Sequence, residues 1–372
     1  MKNLRVGLIC NQASVNHQFQ HAADLFQDNT GINLVKLFGP QHGIRGDVQD
    51  NMIETAHGID KATGLPIYSL YSETREPTEE MLSGLDALVF DLQDVGCRVY
   101  TFIYTMGNSM IACAKFGKKM FVLDRPNPIG GIAVEGSTLV KGHESFVGQY
   151  PIPMRHGLTV GELAKLFNEK FEINCELEVI SMDGWERIDF YDETDASWLM
   201  PSPNIPAVDT TIVFPGMVFF EGTQVSEGRG TTRPFEIVGA PYIDAKQYAD
   251  ALDSLKLSGV VFRPINFLPT FQKHTGKTCG GVFVHIIDRE AFEPVITGLA
   301  MVKTVVDLYP GEFKWKNPPY EYVFDRNPFD VIAGTEKTRN MIEHGSSVKD
   351  IKLSWQTDVE DFKKLREHFF LY

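Results

Sequence analysis

The N-terminal half of the chain alternates short apolar runs with amphipathic stretches, and this alternation restricts the fold more than any other feature. Each apolar run has the length of a buried strand and precedes a polar turn or a segment with helical periodicity. The pattern predicts strands at 5–10, 33–38, 65–70, 87–91, 119–124 and 177–180, and helices at 17–27, 78–82, 100–116 and 159–171. Strands that alternate with helices form βαβ units with right-handed crossovers, so we predict an α/β fold with a mainly parallel sheet.

A proline-rich stretch interrupts this pattern and predicts a domain boundary. Residues 201–206 read Pro-Ser-Pro-Asn-Ile-Pro, and the chain up to Pro215-Gly216 also disfavours regular structure. Beyond it we predict helices near 245–255, 289–308 and 359–369, and strands near 259–265 and 281–287. Because these elements do not alternate strictly, they predict a smaller α+β domain. We therefore divide the 372 residues into an N-terminal domain, 1–204, and a C-terminal domain, 205–372.

Composition excludes several classes of partner. The net charge of −14 disfavours nucleic acid, which requires a basic face. No apolar stretch approaches the length of a membrane span, so we predict no membrane insertion. Met1 leads directly into a short strand without a signal peptide, which predicts a cytoplasmic protein unless a leader has been removed. The five cysteines are widely spaced, which predicts free thiols. For Cys97 we favour a packing role over that of a nucleophile.

Three polar runs predict a binding site. The first, at 90–101, carries Asp91, Gln93, Asp94, Arg98 and Tyr100; the second, at 122–131, carries Asp124, Arg125 and Asn127; the third, at 221–233, carries Glu221, Glu227, Arg229 and Thr231. The first two follow predicted parallel strands, whose carboxyl ends line the ligand crevice of an open α/β sheet. A hydrophobic core has no use for so many charges, so we expect the three runs to form walls of one pocket.

Two further segments are candidates for the pocket rim. The loop at 39–50 follows a strand and is too long and polar for a plain turn, so we expect His42 to form hydrogen bonds there. A metal site at His42, Asp47 and Asp50 has weak support, because no His-x-x-x-His or His-Glu-x-x-His pattern accompanies it, and we predict no metal. The segment at 150–157 either presents Arg155 and His156 to the cleft or forms a rigid turn.

Nucleotide cofactors have little support. The turn after the first strand lacks Gly-x-Gly-x-x-Gly, and the run Gly228-Arg229-Gly230-Thr231-Thr232 lacks the lysine and the preceding strand of a phosphate-binding loop. We therefore predict no cofactor. A Rossmann-type nucleotide enzyme remains an alternative function with little support.

The carboxylates and arginines of the polar runs allow two interpretations. Glycoside cleavage uses one carboxyl kept protonated and a second charged group opposite it, and Asp91, Asp94, Asp124, Glu221 and Glu227 are the candidates. Alternatively, these residues cap helices or hold arginines in structural ion pairs. The arginines of the runs and loops are suited to a ligand carboxylate by their forked geometry, or they neutralise neighbouring aspartates; they are Arg45, Arg98, Arg125, Arg155, Arg229 and Arg233.

The polar runs together resemble one family. Residues 37–46, 90–98, 123–131, 201–204, 221–223 and 226–232 are similar to the NamZ-like exo-β-N-acetylmuramidases. The resemblance implies a Rossmann-like N-terminal domain, a smaller C-terminal domain and an active-site cleft between them. It also implies a glycosidase that removes N-acetylmuramic acid from the non-reducing end of peptidoglycan fragments without a cofactor. The expected partner is therefore a muramic-acid-containing saccharide or muropeptide.

Within this resemblance we expect Asp94 and Glu227 near the scissile bond, with His42 and Gln41 positioning sugar or water. The lactyl carboxylate is expected to bind Arg98, then Arg229, then Arg125 in order of preference. The other residues expected to bind substrate are Asp91, Gln93, Tyr100, Asp124, Asn127, Arg155, His156, Asn204, Glu221 and Thr231. The family loop often has glutamate where this chain has Gln41, and glutamine cannot donate a proton as an acid does. A non-catalytic muropeptide-binding protein is therefore the alternative function.

Overall fold

The structure is a computed structural model that describes residues 1–44 and 57–372. Arg45, Asp47 and Asp50 lie outside the described residues. In the part described, no helix is long and apolar enough to cross a bilayer.

The N-terminal part is built on a seven-stranded sheet among the described residues. Its strands are β1 (Arg5–Cys10), β2 (Asn33–Gly39), β3 (Gly58–Ile59), β4 (Pro66–Ser69), β5 (Ala87–Asp91), β6 (Lys119–Leu123) and β7 (Glu176–Ile180). All neighbouring strands pair in parallel except β3 and β4, so the predicted mainly parallel α/β sheet is confirmed. The accompanying helices are α1 (Ala22–Asp28), α2 (Glu79–Leu82), α3 (Phe102–Lys115) and α4 (Val160–Lys170).

The strand order β3-β4-β2-β1-β5-β6-β7 places a topological switch between β1 and β5. Cys10 at the end of β1 pairs with Asp91 at the end of β5. The next residue, Asn11, donates a 2.9 Å hydrogen bond from Nδ2 to the carbonyl of Pro201. The proline-rich segment therefore packs against the carboxyl edge of the sheet, where open α/β folds bind ligands.

The C-terminal part combines a small antiparallel sheet with several helices. Its strands β8 (Ile237–Ala240), β9 (Val260–Phe267) and β10 (Cys279–Ile286) form a sheet in the order β8-β10-β9. Its helices are α5 (Val208–Met217), α6 (Ala245–Ser254), α7 (Pro294–Leu308), α8 (Pro328–Ala333), α9 (Lys337–Glu343), α10 (Val348–Leu353) and α11 (Gln356–Arg366). One cluster of buried apolar side chains runs through both parts, from Phe90 of β5 to Phe329 of α8, so the two parts share a core.

Two helices differ from the sequence prediction. The predicted helix at 17–27 begins only at Ala22, because His21 caps it by accepting a hydrogen bond from the Ala23 amide. Phe19, which lies within the predicted helix, has a positive φ of 61° and is 61% exposed. Residues up to Pro215-Gly216 were expected to be irregular, yet α5 contains Pro215. All residues of α5 from Thr210 onward are buried, so tertiary packing outweighs the local helix-breaking tendency.

Helix α4 begins as its sequence predicts. Thr159 accepts a hydrogen bond from the Glu162 amide, while the Glu162 side chain accepts one from the Thr159 amide, which completes a capping box. The C-terminal end of the chain then packs on this helix, because the Leu371 amide donates to Glu162 Oε1 at 2.9 Å. The last residues therefore return to the N-terminal part.

Candidate active site

A buried cavity lies where the two parts of the chain meet, and we call it the inner cavity. Its polar lining comes from the end of β2, the start of α3, the proline-rich segment and two C-terminal segments: Gln41, His42, Tyr100, Thr101, Ser202, Asn204, Glu221, Arg229, Tyr320 and Glu321. An adjoining pocket, which we call the outer pocket, shares the last four residues and adds Glu227, Gln272, Lys273 and Lys316. The first and third polar runs therefore meet at one site, and the loop carrying Gln41 and His42 joins them.

Glu321 is held in the cavity by an unusually tight turn. The amides and carbonyls of Tyr320 and Val323 exchange two hydrogen bonds, of 3.0 and 2.9 Å, around Glu321 and Tyr322. Both central residues have positive φ, 44° and 65°, as in a type I′ turn, where Asn-Gly is usual. Two consecutive bulky residues in this region are strained, and such strain is concentrated at functional sites.

The surroundings of Glu321 leave a substantial fraction of its carboxyl protonated near pH 7. Burial raises its pKa to about 7, and the nearby charge of Glu221 acts in the same direction. Tyr71 donates a hydrogen bond of 2.9 Å to Glu321 Oε2, and the Gln41 side chain also bonds this carboxyl, which moderates the increase. A carboxyl with a pKa near the working pH is suited to general acid catalysis.

Glu221 faces the same cavity, but its pKa is shifted in the opposite direction. Its Oε1 accepts a 2.6 Å hydrogen bond from Arg229 Nη2, and its Oε2 accepts one of 2.6 Å from the Tyr320 hydroxyl. Burial alone would raise the pKa of Glu221, but Arg229 and these hydrogen bonds hold it below its usual value. The cavity therefore contains two carboxyl groups whose environments separate their pKa values, as acid–base pairs require.

Glu227 lies in the outer pocket and is held by two cations. Its Oε2 accepts a 2.6 Å hydrogen bond from Lys273 Nζ, and its Oε1 lies 3.4 Å from Arg229 Nε. Lys273 also donates to the carbonyls of Phe220 and Val225, at 2.8 and 3.1 Å, so its three donors are all used. Burial lowers the pKa of Lys273, while Glu227 opposes that decrease. Glu227 therefore lines the outer pocket and also helps to hold the Arg229 side chain in place.

The start of α3 contributes Thr101 and Tyr100. Thr101 precedes the helix but makes no capping hydrogen bond; its hydroxyl instead donates to Gln41 Oε1 at 2.7 Å. This bond fixes the amide of Gln41 with its nitrogen toward Tyr71, at 3.3 Å from the Tyr71 hydroxyl. Burial raises the pKa of Tyr100 well above its usual value, so its phenol stays neutral against the cavity. His42 and Asn204 also line the cavity, as the sequence led us to expect.

Asp94 does not line the cavity but is buried near Tyr100. Its Oδ2 accepts a 2.8 Å hydrogen bond from the Gly96 amide and lies 3.4 Å from Nε2 of His156. His156 Nδ1 accepts a 3.2 Å bond from the Leu158 amide, so in the neutral ring Nε2 carries the hydrogen and faces Asp94. The expected placement of Asp94 at the scissile bond is therefore corrected, and His156, expected to bind substrate, faces Asp94 and lines neither pocket.

Arg98 and Gln93 also turn away from the cavity. Arg98 is fully buried and donates to the carbonyls of Ser137, Ile152 and Ile332 at 2.7, 3.2 and 2.9 Å. Gln93 donates to the carbonyls of Asp94 and Pro126. These side chains join segments of the fold, so the expectation that Arg98 clasps the substrate carboxylate is corrected.

The second polar run does not reach the cavity. Arg125 Nε donates to Asp91 Oδ1 at 2.6 Å, which confirms the alternative of a structural ion pair for these two residues. Asp124 accepts hydrogen bonds from the Thr159 hydroxyl and the Gly161 amide at the start of α4, both at 2.7 Å. Burial raises the pKa of Asp124 to about 6. The expectation that all three polar runs line one pocket is thus corrected, because this run anchors α4 instead.

Three remaining candidates also have structural roles. Asn127 donates to the carbonyl of Leu158 at 3.0 Å and accepts from the Ile129 amide. Arg155 pairs with Glu135 at 3.1 Å, and burial raises the pKa of Glu135 to about 7 despite that pair. The Thr231 hydroxyl donates to the Gly228 carbonyl within its own turn. The structure does not bring these three expected substrate contacts to either pocket.

Sequence reasoning missed Glu321, Tyr320 and Tyr71. The first two follow Pro318-Pro319 in a run of aromatic and charged residues, Tyr-Glu-Tyr-Val-Phe-Asp, which resembles the polar runs in composition. That run was the available signal. Within the described residues, no group of three or more His, Cys, Asp or Glu side chains is arranged to hold a metal ion.

Comparisons with known proteins agree with this two-part architecture. Residues 6–209 match the model of the N-terminal domain of the exo-beta-N-acetylmuramidase NamZ, and residues 212–372 match the model of its C-terminal domain. The chain belongs to the NamZ family. The resemblance seen in the polar runs is therefore confirmed. The domain boundary after residue 204 stays a prediction; the two family models divide the chain between residues 209 and 212.

One curated relative and two solved structures cover the whole chain. The peptidoglycan beta-N-acetylmuramidase NamZ of Bacillus subtilis (strain 168) is 46% identical over 372 residues, which are all of this chain and 88% of that protein. Two crystal structures of DUF1343 family proteins from Bacteroides fragilis NCTC 9343 superpose with TM-scores of 0.90 and 0.77, at 37% and 32% identity. Each superposition covers 100% of this chain and 94% of the other, so the fold is shared throughout.

Proposed function

We propose that this protein is a peptidoglycan β-N-acetylmuramidase that releases N-acetylmuramic acid from the non-reducing end of peptidoglycan fragments during cell-wall recycling. The family and the 46% identical relative, a peptidoglycan muramidase, support the reaction class. The observation that carries the proposal is the pairing, in one cavity, of Glu321, whose pKa is raised to about 7, with Glu221, which is bound to Arg229.

Glu321 is the general acid in this proposal. Its proton passes to the glycosidic oxygen as the bond from that oxygen to the anomeric carbon breaks, so the leaving sugar departs with a hydroxyl group. Water then adds to the anomeric carbon, and its surplus proton returns to Glu321. The ionised Glu221 stabilises the positive charge that develops on the sugar ring between these events.

Gln41 has a positioning role that does not require an acid at its position. Its amide nitrogen faces the Tyr71 hydroxyl and its oxygen accepts from Thr101, so the side chain joins the loop after β2 to the acid Glu321. The alternative of a non-catalytic binding protein rested on the missing acid at Gln41. A second buried carboxyl in the cavity, Glu321, supports a catalytic function in spite of Gln41.

The test is hydrolysis of a β-1,4-linked disaccharide of N-acetylmuramic acid and N-acetylglucosamine, with the muramic residue at the non-reducing end. We expect release of free N-acetylmuramic acid by the full chain and none from the disaccharide with the two sugars exchanged. Absence of turnover between pH 4 and pH 9, together with absence of binding in calorimetry, would overturn the proposal. Binding without turnover would favour the non-catalytic alternative.

A further inference from the structure

The cations of the outer pocket differ in whether their charge is already paired. Arg229 is bound to Glu221 and lies close to Glu227. Lys273 uses all its donors on Glu227 and two carbonyls. A ligand carboxylate that bound either cation would have to displace a buried carboxylate from it, which is costly. These two residues are therefore poorly suited to recognise an anionic substrate.

Lys316 is the exception. It lines the outer pocket, it is half-buried, and within the described chain its ammonium group has neither an ion pair nor a hydrogen bond. Among the described residues, its ammonium group lies over the ring of Tyr320, whose centroid is 5.5 Å from Nζ. An ammonium over an aromatic face keeps its hydrogen-bond donors available on the opposite side.

The backbone fixes Lys316 next to the carboxylates of the site. The Lys316 amide donates to the Gly222 carbonyl at 2.9 Å, and the Gln224 amide donates to the Lys314 carbonyl at 2.9 Å. Gly222 directly follows Glu221, so the two segments are held side by side. Tyr320, which carries the Lys316 ammonium on its ring, donates its hydroxyl to Glu221.

Arg75 has a similar aromatic environment but a different location. Its guanidinium lies 4.3 Å from the Tyr71 ring centroid and 4.5 Å from that of Tyr322. It donates to the Ser72 carbonyl and lines neither the inner cavity nor the outer pocket. It therefore lacks the access that Lys316 has.

We infer that Lys316 binds the lactyl carboxylate of the muramic residue and thereby selects muramic acid over N-acetylglucosamine. This inference rests on the muramidase function proposed above and adds a specificity-determining residue to it. N-acetylglucosamine lacks the lactyl ether, so its hydrolysis gains nothing from this cation. The residue replaces Arg98, Arg229 and Arg125 in that role, because all three are already committed within the fold.

The experiment compares two substrates that differ by one charge. A chromogenic aryl β-N-acetylmuramide and its lactyl methyl ester are assayed with the full chain and with Lys316→Gln, Lys316→Arg and Lys314→Gln. Lys314 is an exposed neighbour outside both pockets and serves as the matched control. Because a charge-assisted hydrogen bond contributes about ten-fold or more, the preference in kcat/KM for the acid should fall about ten-fold in Lys316→Gln.

The same series separates the two hypotheses. We expect unchanged kcat/KM for the ester in Lys316→Gln, a largely retained preference in Lys316→Arg, and no change in Lys314→Gln. Turnover with an undiminished acid preference in Lys316→Gln would overturn the role of Lys316 and leave the muramidase function standing. If the wild-type chain hydrolyses neither substrate, calorimetry with N-acetylmuramic acid decides: weaker binding in Lys316→Gln supports the role, and equal or absent binding overturns it.

Discussion

Tyr71 and Glu321 come from opposite parts of the chain and share a hydrogen bond of 2.9 Å. Tyr71 follows β4 of the parallel sheet closely, whereas Glu321 lies in the tight turn that precedes α8. Gln41, after β2, bonds the same carboxyl. The N-terminal part therefore orients an acid that the C-terminal part supplies, and the site exists only when both parts are assembled.

Replacing Glu321 by glutamine should abolish most of the activity. The Glu321→Gln side chain retains size and hydrogen bonding but cannot transfer a proton, so we expect kcat to fall about 10²–10⁴-fold. Glu312→Gln, at an exposed position outside the two pockets, should leave kcat unchanged. Steady-state kinetics with the disaccharide, on variants whose folding is checked by circular dichroism, measures both. Full activity in Glu321→Gln would remove this residue from the mechanism.

The pKa of Glu321, raised to about 7, predicts a loss of activity on the alkaline side. A general acid must be protonated, so kcat/KM should fall as the pH increases through about 7. The apparent pKa of this decrease is determined from kcat/KM measured between pH 5 and pH 9. A flat profile across this range would contradict Glu321 as the acid.

The same shift affects stability. The pKa of Glu321 is higher in the folded chain than the 4.5 of an unperturbed glutamate, so the folded state binds this proton more tightly. The resulting stabilisation is complete below pH 4.5 and is lost as the pH rises through about 7. Relative to Glu321→Gln, the wild type should lose about 3 kcal/mol of unfolding free energy over this interval. Urea unfolding of both proteins at several pH values measures the difference.

The arrangement of the parallel sheet was accessible from sequence because its signals are local. Buried strands such as β5 read as continuous apolar runs, and the Thr159–Glu162 capping box marks the start of α4 directly. Gln41, His42, Tyr100, Asn204 and Glu221 were expected at the pocket, and all five line the inner cavity; their roles there stay predictions. The start of α1 was less accessible, because His21 is not a typical capping residue.

The acid itself could not be predicted in this way. Glu321 lies in a turn whose two central residues adopt positive φ without glycine or asparagine, and residues distant in sequence, Tyr71 and Gln41, bind its carboxyl. The predicted role of Arg98 as a substrate contact was wrong because a residue distant in sequence binds its side chain. The neighbours of Arg98 in sequence suggest a ligand contact. Its guanidinium instead donates a hydrogen bond to the carbonyl of Ile332, which lies far along the chain.

Placing a carboxylate at position 41 tests whether the wild-type chain, with glutamine there, lacks a catalytic general acid. In Gln41→Glu the new side chain would lie against Glu321, and the like charge would raise the pKa of Glu321 further. We therefore expect turnover in the wild type, and in Gln41→Glu an alkaline limb shifted to higher pH. Turnover that appears only in Gln41→Glu would instead favour the non-catalytic binding protein. The comparison uses pH–rate profiles of the two proteins on the same disaccharide.

Replacing Arg229 should lower the stability of the fold. Its guanidinium neutralises Glu221 and lies beside Glu227, and all three side chains are buried. Arg229→Ala would leave Glu221 without its cation, so we expect a loss of about 3–5 kcal/mol in unfolding free energy. Arg233, whose side chain is 46% exposed and pairs with Glu236, is the matched control, and Arg233→Ala should cost about 0–1 kcal/mol. Chemical denaturation measures both values. Equal losses in the two variants would show that the buried network contributes no more than a surface ion pair, and Arg229 would again become a candidate for binding the substrate carboxylate.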